Sequence, residues 1–359
     1  MDKNLKIEKK PHAQKKPEKS SGKRNIPLIM MVFVGLLLIV GSILLFPLAF
    51  SKSEKEATII IPRGATYSNV EDSIRKYYPK AWADRTLHLI KTRHPDFSKR
   101  SGLFLLPAGT SPFAAMRKLT SGNQTPVRLT INHFRSIESL SEAIAARLEC
   151  SNEEFLKAAR DSSLLAEFGL TPQQALSLFL EDTYEVYWNT SPRDVIKKIG
   201  ENYRNLWDKK NRDSAESLGV SPAGIMTIAS ITDEETNKTD EKGRIGMLYI
   251  NRLNSGMRLQ ADPTVRYALG DFDIRRVTLK HLHIESPYNT YRVDGLPPGP
   301  IRTTSAQTVN EILNAESSDD LYMCAKEDFS GYHNFASTYE EHVRNSLRYQ
   351  HELDNRGIK

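Results

Sequence analysis

The chain has 359 residues and a formal net charge of +6, which is long enough for a membrane anchor and two or three folded units of roughly 100–200 residues each. The excess charge is concentrated in residues 1–24, which hold nine Lys and Arg but three acidic residues, so the remaining chain has a net charge of zero. This distribution gives no support to a basic surface for nucleic acid, and we expect no nucleic-acid partner.

Residues 1–25 are rich in Lys, Pro and Ser, a composition that predicts a disordered tail. Residues 26–50 then contain no charged side chain, and 25 residues of helix can cross a bilayer core of about 30 Å. A cleaved signal peptide is the alternative, but its apolar region would be about 7–15 residues long and would end at a small-residue site that FPLAFSKS lacks. We therefore predict an uncleaved single-pass anchor in the cytoplasmic membrane. The basic flank places the N-terminus in the cytoplasm and everything from Ser51 outside.

The two cysteines, Cys150 and Cys324, allow two interpretations. They could form a disulfide in an exported domain, or they could be buried as small apolar residues. The sequence contains no CxxC, no HExxH and no cluster with metal-ligand spacing. We predict no metal and no cofactor.

The region 51–150 is predicted to be a small α+β unit. Residues 57–61 and 127–131 are apolar or alternate as strands do, and residues 103–106 form another apolar run. A helix is expected from Pro112, after Thr110 or Ser111 as the N-cap, with a stop at Ser121-Gly122. Ser139 and Glu142 have the spacing of a capping box at the start of a further helix.

Residues 151–220 are predicted to be mostly helical, with helix starts at Ser151 and at Ser191-Pro192. The segment LFLEDTYEVYWNT between these starts is dense in aromatic residues. Such rings can stack on the apolar faces of sugars, but in most proteins a patch of this kind forms ordinary core. Both interpretations stay open for Phe179, Tyr184, Tyr187 and Trp188.

The next helix is expected to begin at Ser221-Pro222 and to end in three consecutive acids, Asp233, Glu234 and Glu235. On a helical wheel Glu235 lies beside the stripe formed by Ile228, Ile231 and Thr232, whereas Glu234 points nearly the opposite way. An acid held against apolar surface has a raised pKa, as a general acid requires. The alternative is a plain solvated face of three acids.

A second helix is expected from about Glu241 to Leu253, followed by three segments rich in Pro, Gly and Asn: LQADPTVRYALG, ESPYNTY and GLPPGPI. We interpret these segments as extended or turning loops, and loops beside a helix with a candidate acid are where a substrate groove is expected. The C-terminal part should hold a helix near residues 306–315, a strand at LYMCA and a last helix from about Tyr339.

The ordered motifs ASITDEET, INRL, GMRLQADPTVRY, PYNTY and GLPPGPI resemble the endolytic murein transglycosylase family of bacteria, as do FLEDTYEVYWNT, SGNQTPVRLTI and the YHNF…EEH ending. The likeness covers about residues 57–350. It implies an α+β protein with a single N-terminal transmembrane helix, a LysM-like domain over residues 51–150 and a lytic-transglycosylase-like catalytic domain over residues 151–359. It also implies cleavage of the β-1,4 bond from N-acetylmuramic acid to N-acetylglucosamine in nascent glycan strands, leaving 1,6-anhydro ends. Peptidoglycan synthases, the penicillin-binding proteins, are the expected protein partners.

The family usually has two glutamates flanking one residue, which we align with Asp233 and Glu235. The resemblance and the helical wheel both favour Glu235 as the catalytic acid, and Asp233 departs from the family pattern by one methylene. We further hypothesise that four loop residues line the groove and position the N-acetyl and hydroxyl groups: Gln260, Asp262, Asn289 and Tyr291. Hydrogen bonds that merely stabilise the loops are the alternative for each of them.

Two other functions remain open at this point. A muramidase-type hydrolase would need a second carboxylate, for which Asp262 is the best candidate. A non-catalytic glycan-binding scaffold of the envelope would keep the LysM-like part and would tolerate loss of Glu235.

Overall fold

The computed structural model describes residues 26–274 and 276–357. The first helix, α1, spans Ile26–Phe50, and its described side chains are those of residues 30–43, 45, 46 and 48. Over the described residues, no helix combines the length and the apolar character needed to cross a membrane. The predicted tail at 1–25, and part of the predicted anchor at 26–50, thus lie outside the residues whose side chains are described.

The described residues form a mixed α+β fold of helices and three short two-stranded antiparallel sheets. The strands are β1 (Ala57–Ile61), β2 (Gly102–Leu106), β3 (Val127–Ile131), β4 (Asp182–Val186), β5 (Tyr322–Ala325) and β6 (His333–Ala336). The helices after α1 are α2 (Tyr67–Tyr77), α3 (Lys80–Arg93), α4 (Pro112–Ser121), α5 (Ile137–Ala145), α6 (Asn152–Ala159), α7 (Ser162–Ala166), α8 (Pro192–Leu206), α9 (Lys209–Ser217), α10 (Pro222–Glu235), α11 (Thr239–Asn254), α12 (Asp262–Leu269), α13 (Ala306–Leu313) and α14 (Tyr339–Asn355).

The first core lies between β1, β2 and helices α2 to α4. The strands pair antiparallel with Ile59 opposite Phe104, and alternate residues of each strand, such as Ile59, Ile61, Phe104 and Leu106, are fully buried. Helix α4 begins at Pro112 with Ser111 as its N-cap and stops at Gly122 in the left-handed conformation, as its sequence predicts. This core uses residues 57–119.

The second core begins at β3 and extends to α13, over residues 127–313. Strand β3 pairs with β4, with Leu129 opposite Tyr184. Residues 127–131 therefore belong to the second core and not to the first. The change from one core to the next therefore falls between residues 119 and 127.

Helices α10, α11 and α13 pack against one another at the centre of the second core. Helix α11 lies so close to α13 that a Cβ on Gly246 would come within 2.4 Å of Ile312 Cγ1. The hairpin of β5 and β6 packs against α14. This arrangement brings the C-terminal end of α10, the middle of α11 and the hairpin together.

Two local predictions are wrong, and one strand is not predicted. The capping box at Ser139 and Glu142 is not used, because helix α5 begins earlier and Ser136 accepts the hydrogen bond from the Ser139 N–H. Residues 151–220 are mostly helical as predicted, but residues 182–186 between the helices form a strand, because they complete the sheet with β3. Residues 262–269 form α12 rather than a loop, with Pro263 in the first turn and Gly270 as the C-cap, positions that favour those residues.

Candidate active site

Glu235 is the last residue of α10. The Ser221 hydroxyl caps the start of this helix by accepting from the Gly224 N–H at 3.1 Å, and Pro222 occupies the first turn. After Glu235 the chain leaves the helical conformation at Thr236, with φ −143°. The carboxyl group therefore lies at the negative end of the helix dipole, which disfavours its ionised form.

The structure separates the three consecutive acids in the way that the helical wheel predicts. Glu234 accepts from Arg135 Nη2 at 2.9 Å, lies 2.9 Å from His133 Nε2, and also contacts Arg302. Asp233 is buried, and its carboxylate binds Lys242 Nζ at 2.7 Å. These two acids are occupied by internal partners, and the solvated-face interpretation does not hold for them.

Glu235 faces a cavity of about 390 Å³. The residue is partly exposed, and its Oε1 accepts a 2.6 Å hydrogen bond from the Tyr249 hydroxyl. Burial raises the pKa of Glu235; the Tyr249 bond lowers it, and the nearby charge of Asp262 raises it further. Burial is the largest of these effects, so the carboxyl group keeps its proton to higher pH than an exposed glutamate.

The cavity wall combines one cationic side chain with imidazole and phenol rings. Arg252 is largely buried, and its guanidinium donates to the backbone oxygens of Arg258 and Leu321 and to Gln260 Oε1. The Tyr322 ring stacks on His342, with centroids 5.3 Å apart. The residues that line the cavity are Glu235, Leu248, Tyr249, Arg252, Leu259, Gln260, Asp262, Tyr291, Tyr322, Met323, Cys324, Ala325, His333, Tyr339 and His342.

Three of the four predicted groove residues line this cavity together with Glu235. Gln260 has φ +53°, an uncommon conformation for a side chain other than glycine, and its N–H donates to the Thr290 backbone oxygen at 3.1 Å. Asp262 begins α12 and accepts a 2.7 Å bond from the Tyr291 hydroxyl. A backbone conformation such as that of Gln260 persists where surrounding hydrogen bonds hold it, and such conformations are frequent at functional sites.

Asn289 does not reach the cavity. Its side chain is fully buried, its amide donates to the backbone oxygens of Leu282 and Ile284, and its Oδ1 accepts from the Tyr291 N–H. The loop-stabilising interpretation therefore describes Asn289, because every polar atom of its side chain is used inside the loop that presents Tyr291.

Sequence reasoning missed several residues of the wall. Arg252 belongs to the INRL motif, and His333 and His342 belong to the YHNF…EEH ending, yet we predict no role for them. His333 Nδ1 lies 3.0 Å from Glu241 Oε2, and Glu241 is buried. The one clue in the sequence is that these motifs contain Arg and His, which are common in active sites. Their position beside Glu235 depends on the fold and cannot be read from the motifs.

The aromatic segment before α8 does not contribute to this cavity. Phe179 and Tyr184 are buried in the second core, and Trp188 packs against it, so these rings are core residues. Cys150 and Cys324 are both free thiols. Within residues 26–274 and 276–357, no group of His, Cys, Asp and Glu side chains is arranged to hold a metal ion.

The fold and the cavity define an α+β protein with a polar cleft, in which one partly buried carboxyl group of raised pKa faces polar and aromatic walls. The chain belongs to the YceG-like family, whose sequence profile matches residues 59–348.

Two relatives illustrate the similarity. The endolytic murein transglycosylase of Bacillus subtilis (strain 168) is 27% identical over 89% of this chain and 91% of its own length. The protein of the same name from Streptococcus pneumoniae serotype 2 is 24% identical over 82% of this chain, which matches 58% of its length. Among solved structures, a YceG-like protein from Listeria monocytogenes is 27% identical, with a TM-score of 0.53 over 81% of this chain and 99% of that one.

Proposed function

We propose that this protein is an endolytic peptidoglycan transglycosylase, which cleaves the β-1,4 bond from N-acetylmuramic acid to N-acetylglucosamine within glycan strands. The observation that carries this proposal is the Glu235 carboxyl group, which faces the cavity with a pKa raised by burial. The relatives named endolytic murein transglycosylase support the same substrate class.

In this reaction Glu235 donates its proton to the glycosidic oxygen that leaves. The 6-hydroxyl of the muramoyl residue attacks its own C1, so the product carries a 1,6-anhydro end and no water is consumed. The proton of that hydroxyl must be taken up inside the cavity, and in the one-residue form of the mechanism the Glu235 carboxylate accepts it. Because the substrate supplies the nucleophile, the second carboxylate of common glycosidases is not required.

The cavity offers groups for binding the sugars. Gln260, Asp262 and Tyr291 supply amide, carboxylate and phenol groups on one wall, which suit the N-acetyl and hydroxyl groups of the substrate. The half-buried Tyr322 ring on the hairpin suits the apolar face of a pyranose. We propose that these residues orient the bond to be cleaved toward Glu235.

A muramidase-type hydrolase is the second candidate, because Asp262 lines the same cavity and its charge raises the pKa of Glu235. In that case Asp262 would activate water or stabilise the sugar cation. Its hydrogen bond from Tyr291 would then have to be exchanged for one to water or substrate. Because the one-carboxyl reaction does not require Asp262 to give up this hydrogen bond, the structure favours that reaction over hydrolysis.

The test is mass spectrometry of the muropeptides that the full-length protein releases from uncrosslinked nascent glycan in ¹⁸O-water. We expect 1,6-anhydro ends without ¹⁸O. Reducing ends that carry ¹⁸O would instead support the hydrolase.

Glu235→Gln should lower the rate roughly 100- to 10,000-fold, while the exposed glutamate in α9, changed by Glu216→Gln, should leave it unchanged. If Glu235→Gln cleaved glycan as the unchanged protein does, a different acid would replace Glu235, and if neither protein cleaved glycan, the glycan-binding scaffold would replace this proposal.

The same proposal places the enzyme at the cytoplasmic membrane, with residues 26–50 as a single-pass anchor, the N-terminus inside and the catalytic region outside. Support comes from the uncharged sequence of this segment, the cations before it and its helical conformation. Protease added to intact spheroplasts should digest the catalytic region but leave the N-terminal tail protected. Digestion of the tail, or release of the protein by alkaline carbonate, would contradict it.

We further propose that residues 51–150 include a LysM-like unit that binds glycan, and that residues 151–359 form the lytic-transglycosylase-like catalytic part. Support for the first comes from the strand-helix-helix-strand order of β1, α2, α3 and β2 around a core of its own. On the outer side of the cytoplasmic membrane, the substrate would be nascent glycan strands made by penicillin-binding proteins. Those synthases are therefore the expected partners. Crosslinking in intact cells, with the synthases detected by mass spectrometry, tests this association.

A further inference from the structure

His333, in strand β6, lines the cavity together with Glu235 and is held in place from helix α11. Its Nδ1 lies 3.0 Å from Glu241 Oε2, and its backbone N–H donates to Glu241 Oε1 at 2.8 Å. Glu241 is only 7% exposed, so both carboxylate oxygens are used inside the protein. The two bonds fix the position and the orientation of the imidazole ring.

This contact also defines which ring nitrogen carries the hydrogen. A carboxylate can only accept hydrogen bonds, so the neutral imidazole of His333 carries its hydrogen on Nδ1 and keeps a lone pair on Nε2. With Nδ1 occupied by Glu241, Nε2 is the nitrogen available to a ligand in the cavity. A carboxylate that orients an imidazole in this way is the usual arrangement of a histidine base.

Several other ionisable groups line the cavity or contact this imidazole. Helix α10 contributes Glu235, and α11 contributes Glu241, Tyr249 and Arg252; the loops, the hairpin and α14 add the others. The positive charge of a protonated His333 would stabilise the Glu235 carboxylate, so the two groups are coupled electrostatically. The remaining ionisable groups of the cavity are Asp262, Tyr291, Tyr322, Cys324, Tyr339 and His342.

We infer, on the basis of the proposed transglycosylase function, that His333 is a second catalytic residue and accepts the proton of the muramoyl 6-hydroxyl. The O6–H bond breaks toward His333 Nε2, the O6–C1 bond forms as the C1–O4 bond breaks, and O4 takes the proton of Glu235. The imidazolium then returns one proton to the Glu235 carboxylate through the solvent of the cavity. No oxidation, reduction or water consumption is involved. Glu241 is the positioning residue that holds the base.

The dependence of kcat/KM on pH separates this mechanism from the one-residue form. With His333 as the base, the active form needs a protonated Glu235 and an unprotonated His333, so the profile falls on both the acidic and the alkaline side. With Glu235 alone, the free enzyme needs only a protonated carboxyl group, so the acidic side stays flat. The assay is formation of 1,6-anhydro ends by the full-length protein on uncrosslinked glycan.

The decisive variant is His333→Gln, whose amide can still donate to Glu241 but cannot take up a proton. We expect a loss of roughly 100-fold or more in kcat, and a residual profile without the acidic fall. The matched control is His351→Gln, at an exposed position on α14, which should keep the rate and both sides of the profile. A folded His333→Gln protein with the normal rate, or with the acidic fall intact, would overturn the inference.

Two further measurements keep the inference testable if His333→Gln proves unstable in thermal melts. Glu241→Gln keeps a side chain of the same size but no longer fixes which ring nitrogen carries the hydrogen, so kcat should fall while KM stays the same; an unchanged kcat counts against the inference. Added imidazole should partly restore the rate of His333→Ala, and no restoration in folded protein counts against it. If the unchanged protein makes no anhydro ends, the proposed function fails, whereas anhydro ends with an unaltered His333→Gln profile reject the histidine base alone.

Discussion

The Tyr249 hydroxyl donates a 2.6 Å hydrogen bond to Glu235 Oε1, from the inner face of α11 to the last residue of α10. Tyr249 is 2% exposed, so the phenol has no access to bulk water. Burial raises the pKa of Glu235 and this bond opposes the rise. The acidity of Glu235 is therefore a balance between the desolvation of its charge and one charge-stabilising donor.

Tyr249→Phe removes the donor and leaves the ring in place. Without the bond, the ionised form of Glu235 loses its stabilising partner, and the pKa rises further. The alkaline fall of kcat/KM should therefore move to higher pH, and the free energy of unfolding at neutral pH should decrease by about 1–3 kcal/mol, since a buried acceptor is left unpaired. A pH-rate profile and a denaturant titration measure the two effects.

The matched control is Tyr187→Phe, at a half-exposed tyrosine outside the cavity. It should change neither the profile nor the stability by a measurable amount. An alkaline fall that moved to lower pH in Tyr249→Phe would show that the phenol does not stabilise the carboxylate.

Asp262→Asn should have the opposite effect on the same profile. The negative charge of Asp262 raises the pKa of Glu235, so its removal lowers that pKa and moves the alkaline fall to lower pH. The products should still carry 1,6-anhydro ends, because this reaction needs no second carboxylate. The measurement is the pH-rate profile together with mass spectrometry of the products. Complete loss of activity without any change in substrate binding would instead indicate a hydrolase that uses Asp262.

Asp233 is expected to stabilise the fold rather than to act on the substrate. It binds Lys242 Nζ at 2.7 Å and accepts hydrogen bonds from Thr304 and Thr308 beside α13. Asp233→Asn leaves a half-buried ammonium group without its counter-charge, which should cost about 3 kcal/mol in the free energy of unfolding. The rate of glycan cleavage per folded molecule should change far less than the stability.

The double variant Asp233→Asn with Lys242→Met tests the ion pair itself. Removing both charges should cost less than removing the carboxylate alone, because no unpaired ammonium remains. Denaturant titrations of the single and double variants measure this difference. Equal costs would mean that the ion pair contributes little, and that the bonds to Thr304 and Thr308 hold the α10–α13 contact.

Much of the local structure follows from the sequence, because caps and apolar periodicity are local signals. Ser221 with Pro222 starts α10, Ser151 with Glu154 forms a capping box, and the last helix begins at Tyr339, all as predicted. Strand β4 was missed because its pattern matters only through its distant partner β3. Helix α12 is not evident from the sequence because Pro263 and Gly270 are typical of loops as well as of helix ends, and here they mark the two ends of the helix.

The site was predictable where one helix determines it. The wheel separates Glu235 from Glu234 on α10, and the loop motifs contain Gln260, Asp262 and Tyr291. The parts of the site that depend on contacts between distant segments were not predictable. His333 joins the cavity through its bonds to Glu241, 92 positions away, and Asn289 is excluded from it by carbonyl oxygens of its own loop. Sequence spacing carries no information on either contact.

Glu235→Gln should make the protein more stable at neutral and alkaline pH. Because burial raises the folded-state pKa of Glu235, the folded protein binds this proton more tightly than the unfolded chain. Stability is therefore lost as pH rises from the unfolded value, near 4.3, to the folded one, by about 1.4 kcal/mol for each unit of difference. Glutamine fills the same volume, still accepts from Tyr249 and has no charge to desolvate. The melting temperature of Glu235→Gln should thus exceed that of the unchanged protein above this window and match it below pH 4, with Glu216→Gln as the control that shows no difference at either pH. A Glu235→Gln protein that melted lower at pH 8 would mean that the ionised carboxyl group is stabilised in the fold, which contradicts the raised pKa and with it the general-acid role.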